Sequence, residues 1–197
     1  MILALAVVVG LIVSLIRYRS FALERIATIS LRSTWLVLLA LALQMPLLRA
    51  PAGLRQHIGV QQALFLTSHL FLLAFVGLNW RSTALKIAGL GVLCNLIVVL
   101  ANGGLMPITP ETLVQINQGS SLAQWPAGAH YGYSKDIILP RQGTVLWPLS
   151  DILVLPPPFP LPTAFSLGDL IIAVGIVVLL QGLPTSLGVL AIEPERA

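Results

Sequence analysis

Hydrophobic residues run through this chain in long uninterrupted stretches, with neither the alternation of a half-buried strand nor the one-sided stripe of a soluble helix. Stretches 1–16, 33–48, 56–80, 87–110 and 170–192 contain no Asp, Glu, Lys or Arg. A membrane-crossing helix needs roughly 20 apolar residues, so the last three are long enough. The first two are short, but Arg17, Arg19, Arg32 and Arg49 flank them and can reach the interface with long side chains. The pattern predicts an all-α integral membrane bundle of about five transmembrane helices, near 1–18, 34–49, 61–80, 84–101 and 167–184. Stretch 1–16 reads as a retained helix, because it lacks a basic start and a small-residue cleavage site. The whole of 1–197 forms one multi-pass domain, with a long loop, 102–166, packed on the bundle.

Composition agrees. Hydrophobic residues make up 57% of the 197 and charged residues 9%, against about 25% charged in a soluble domain. So little charge cannot cover a water-facing surface. The net charge of +4 reports topology and not nucleic-acid binding, since no basic patch with aromatics accompanies it. Seven of the 11 cations (Arg17, Arg19, Arg25, Arg32, Arg81, Lys86, Arg196) fall in the first and third loops and the tail. The other four (Arg49, Arg55, Lys135, Arg141) fall in the second and fourth loops. Cations favour the cytoplasmic side, which predicts an outer N-terminus, a cytoplasmic C-terminus and an outer loop 102–166. A single cysteine, Cys94, excludes an internal disulfide. No metal or cofactor is expected.

The loop opens on Asn102-Gly103-Gly104, a helix stop. It carries interface aromatics (Trp125, Tyr131, Tyr133, Trp147) and ends in five prolines within 156–162, which forbid a helix. Most of the chain's acids that escape the cytoplasmic side are here: Glu111, Asp136, Asp151 and Asp169. Asp151 has Trp147, Leu149, Ile152 and Leu153 around it, and Asp169 stands where the last helix begins. A carboxylate at a membrane helix is costly and is a functional candidate by default.

Two readings of this pair stay open. Ser166-x-x-Asp169 has the form of an N-terminal cap, and an acid in the first turn complements the helix dipole; Asp151 can equally be a loop residue bonded to backbone. Alternatively the proline segment brings the two carboxyls together. Adjacent carboxyls share a proton, so one can activate water while the other protonates a leaving group.

The segment from Leu149-Ser150-Asp151-Ile152-Leu153 to Phe165-Ser166-Leu167-Gly168-Asp169 resembles the C-terminal part of signal peptidase II, the lipoprotein signal peptidase. That resemblance covers about 30 residues, lacks the family's other signatures, and implies Asp151 and Asp169 as a catalytic pair acting on a lipid-modified peptide. A second resemblance spans nearly the whole chain. The short first helix with its arginine-rich loop, Asn102-Gly103-Gly104-Leu105-Met106-Pro107, His130, Leu139-Pro140 and Ser166-Leu167-Gly168-Asp169 are similar to a family of uncharacterised bacterial five-helix membrane proteins, a domain of unknown function. It implies fold and location without an activity. Asn102, Gly103, Gly104, His130 and Ser166 are the binding candidates that these motifs single out.

His69 lies near the middle of the third stretch. A mid-membrane histidine packs between helices, and Asn95 on the next helix is its expected partner. No nucleotide-binding glycine motif, Ser-His-Asp arrangement or inverted repeat is visible. The expectation is a multi-pass protein acting as an accessory, scaffold or partner-binding subunit beside other membrane proteins. The alternative is an aspartic hydrolase at the outer interface.

Overall fold

The computed structural model describes residues 2–48, 57–131 and 134–182, and it is mostly helical. Each apolar stretch contains a helix: α1 (Ile2–Tyr18), α3 (Trp35–Leu48), α4 (Ile58–Leu78), α5 (Thr83–Ala101) and α7 (Leu167–Leu180). Two short helices join them, α2 (Ala22–Ala27) after the first and α6 (Pro110–Ile116) in the long loop. Among the described residues, three stretches are long and apolar enough to cross a membrane: Ile2–Ala27, Ile58–Leu78 and Thr83–Ala101. α7 is a shorter apolar helix, about 21 Å at 1.5 Å per residue.

In space the order differs from that in sequence. α7 packs between α1 and α5, α5 also packs on α4, and α4 on α3. Lipid is as apolar as leucine, so helices in it associate by close packing of small residues and by polar contacts. Both devices are present. The buried face of α1 is Ala6, Gly10 and Ser14, a small-residue stripe at four-residue spacing. On the α5–α7 seam, a Cβ at Gly175 would meet the backbone nitrogen of Ala88 at 2.7 Å and its Cβ at 2.8 Å. Only glycine permits that approach.

The loop folds on the end of the bundle. β1 (Met106–Ile108) pairs in parallel with β2 (Asp136–Ile138), and β3 (Leu153–Leu155) pairs antiparallel with β4 (Thr163–Phe165). Ile108, Leu113 and Ile138 form a small core of its own, with Trp125, Tyr131 and Ala164 against it. A second cluster, Leu47, Phe65, Val98, Val99 and Met106, joins α3, α4, α5 and β1. The prolines keep 156–162 out of helix and sheet, as their missing N–H groups require. Arg49, Arg55, Tyr133, Glu193, Glu195 and Arg196, on which part of the charge argument and one aromatic position rest, lie outside the described residues.

Candidate functional site

Asp169 is positioned by the start of α7. Ser166 is the N-cap, in extended conformation, and its hydroxyl accepts from Asp169 N at 2.9 Å. The Asp169 carboxylate returns the bond, with Oδ2 accepting from Ser166 N at 3.3 Å. This is the capping box that Ser166-x-x-Asp169 predicted. The other oxygen, Oδ1, accepts from Asn95 Nδ2 at 2.8 Å, and Asn95 Oδ1 accepts from Ser166 Oγ at 2.7 Å. The three residues therefore close a ring across the α5–α7 seam, with backbone N–H groups completing the Ser166–Asp169 edge. It exists because Gly168 has no side chain; a Cβ there would collide with the Asn95 amide.

Asn95 is thus not the partner of His69. His69 is buried on α4, with Nδ1 2.9 Å from Phe65 O one turn back and its ring edge-on to Phe65, centroids 4.6 Å apart. The i−4 carbonyl is always within reach of a helical side chain, whereas Asn95 is turned towards α7 and already spent on two partners there.

Asp151 is held by β1. Its backbone N donates to Pro107 O at 3.1 Å, in a parallel bridge beside Ile108. On the opposite edge of β1, Met106 N donates to Lys135 O at 3.1 Å and β2 begins. The strand thus sets Asp151 on one side and Lys135 and Asp136 on the other. Lys135 Nζ reaches across to Asp151 Oδ2 at 2.9 Å and also contacts Asp136 Oδ1 at 3.2 Å. Asp151 is only 2% exposed, and its second oxygen, Oδ1, is buried without a hydrogen-bond partner. Burial pushes the Asp151 carboxyl up to about 7; Lys135 pulls the other way, and the charges of Asp136 and Asp169 add to the rise. Burial also opposes the charge on Lys135, but Asp136, Asp151 and Asp169 outweigh it and hold the ammonium above its ordinary value. Asp151 and Asp169 therefore lie within electrostatic reach of each other, yet each hydrogen-bonds to partners of its own.

The remaining candidates serve the chain's own architecture. Asn102 ends α5: its Nδ2 donates to Val98 O at 2.7 Å and to Val145 O at 2.8 Å, while its Oδ1 accepts from Val145 N at 2.9 Å. This clamps the loop to the helix end. Gly103 and Gly104 take φ of +83° and +88°, the left-handed region open to glycine, and Gln62 donates to Gly103 O. His130 forms an isolated bridge with Ile137, and its Nε2 is buried without a partner. Among the described residues, no group of three or more His, Cys, Asp or Glu is arranged to hold a metal ion.

Lys135 was missed in sequence because it was counted as a topological charge. The available signal was scarcity. The loop offers only Lys135 and Arg141 as cations, so a buried Asp151 had two possible partners. Arg141 instead covers the Trp147 ring, 3.9 Å from its centroid.

Comparison with curated proteins gives no match, and comparison with solved structures gives none either. Residues 28–181, from the end of α2 through α7 and including every member of the Asn95–Ser166–Asp169 and Lys135–Asp136–Asp151 groups, match the model of one family. The chain belongs to that family, DUF5317, a family of unknown function.

Proposed function

We propose that this chain is a five-span protein of a bacterial plasma membrane that does no chemistry itself, and serves as a scaffold or partner-binding subunit whose loop 102–166 forms a cap on the outer side. α3 and α7 are the two further spans, with the N-terminus outside and the C-terminus in the cytoplasm. One observation carries the non-catalytic reading. Both oxygens of Asp169 accept from the protein's own donors, and Asp151 is ion-paired with Lys135. An aspartic dyad needs two carboxyls free to share a proton and a water. Here the acids brace the chain's own architecture: Asp151 ties β1 to the start of β2 within the loop, and Asp169 ties α5 to α7. A rigid cap of this kind suits docking to another membrane protein.

Two measurements test this. Cysteines placed at Gln118 and at Thr83, with Cys94 replaced, report topology under an impermeant reagent on intact cells. Labelling at Gln118 alone is expected; labelling at Thr83 alone reverses the orientation. The purified protein in lipid nanodiscs is then offered a lipid-modified signal peptide. No cleavage is expected. Turnover that disappears in both Asp151→Asn and Asp169→Asn would establish the signal-peptidase-like alternative, which the mutual electrostatic reach of the two acids favours.

A further inference from the structure

Where the loop meets the bundle, the charges do not balance. Among the described residues, Lys135 is the one cation beside Asp136, Asp151 and Asp169, each close enough for its charge to bear on the lysine. With every carboxyl ionised the group holds two uncompensated negative charges. Its most buried member has an oxygen, Asp151 Oδ1, with neither a hydrogen-bond partner nor contact with solvent. A dry, unpaired carboxylate oxygen is costly. A second cation lowers that cost, and the described residues offer no set of metal ligands there. The smallest cation available is a proton.

We propose that the Asp136–Lys135–Asp151 cluster is a proton-binding site, with Asp151 as the acceptor and water on the loop side of the bundle as the source. Uptake converts the Asp151 carboxylate to the neutral acid and lowers the excess negative charge by one. Lys135 remains against Asp136 at 3.2 Å. The groups that face the site are Lys135, just before β2, Asp136 at the start of β2 and Asp169 from α7; His69 on α4 stands close enough to feel Lys135 and Asp169. The burial that raises Asp151 to about 7 places its titration where external pH varies. Water has an entrance, since the Lys135 side chain keeps 29% of its exposure.

The test uses the full chain in phospholipid nanodiscs, with infrared difference spectra of the protonated carboxyl band recorded across a pH series. A band that titrates near pH 7 in the wild type and is missing in Asp151→Asn is expected. Asp136→Asn removes a like charge and should lower the midpoint; Lys135→Met removes an opposite charge and should raise it, each by about one pH unit. These opposite shifts keep the test decisive if Asp151→Asn fails to fold. The proposal is overturned if the band is confined to the ordinary carboxyl range of about 3–5, if it survives in Asp151→Asn, or if the two neighbouring substitutions move it in the same direction.

Discussion

The two ends of the α5–α7 seam are held together by different physics. At the loop end the contact is polar: Asn95, Ser166 and Asp169 close their ring, and the Lys135 cluster lies over it. At the far end the contact is bare backbone, with Gly175 against Ala84 and Ala88. Neither end can rely on expulsion of water. The far end gains dispersion by closeness, which demands glycine and tolerates no added atom. The loop end gains hydrogen bonds, which fix register along the helices and couple it to the loop. The contrast teaches that in this bundle small residues bring the helices together and polar residues set where along their length they meet.

The largest effect is expected at the far end. Gly175→Val places branched carbons against the Ala88 backbone, which cannot yield, and should cost about 3 kcal/mol or abolish the fold. Thermal unfolding in mild detergent measures it. Gly77→Ala is the control, because a Cβ at Gly77 meets nothing within 4 Å; a loss of stability there equal to that at Gly175 would remove the distinction between packed and open glycines.

Next comes the ion pair at the loop end. Lys135→Met leaves Asp151 and Asp136 facing each other without their cation. The cost is about 2 kcal/mol, below the roughly 3–5 of a wholly dry pair because Lys135 is partly exposed and Asp151 can take up a proton. Loop release, followed by modification of a cysteine placed at Ile138, should increase while the helices stay folded. If the bundle unfolds with the loop, the two ends are not separable.

A pH series perturbs the same end without a substitution. The folded value of Asp151, about 7, lies above its ordinary 3.8. The folded state therefore binds more protons than the unfolded one between those values, and its stability falls as pH rises through that window. Unfolding midpoints should drop from about pH 4 to about pH 7, and the slope should flatten in Asp151→Asn. A slope of the opposite sign would contradict the burial argument.

The smallest effect is expected at Asn95. Asn95→Leu removes both of its bonds to α7 at a cost of about 0.6–1.7 kcal/mol, the range of interhelical polar pairs in membranes. Steric trapping in bicelles resolves this. A loss as large as that of Gly175→Val would mean that polar contacts, not close packing, bring the helices together.

The sequence by itself determined the helices and much of the local chemistry at their ends. Apolar stretches without charge have no stable alternative in lipid, where every backbone group must be satisfied within the segment; hence each stretch contains a helix. Asn102-Gly103-Gly104 had to stop α5, the prolines had to stay out of helix and sheet, and Ser166-x-x-Asp169 had to cap α7, because each rule acts over a few neighbouring residues. Tertiary structure alone decided who meets whom. Asn95 was expected beside His69 and instead faces Asp169, 74 positions away, because α7 returns to lie against α5. The small-residue stripe Ala6–Gly10–Ser14 acquired meaning only when α7 packed on α1. Lys135 and Asp151 are 16 residues apart, and β1 between them brings their side chains together. Such pairings depend on which faces of the helices and strands come together, and the apolar stretches, which are hydrophobic nearly all round, carry no polar face to show it.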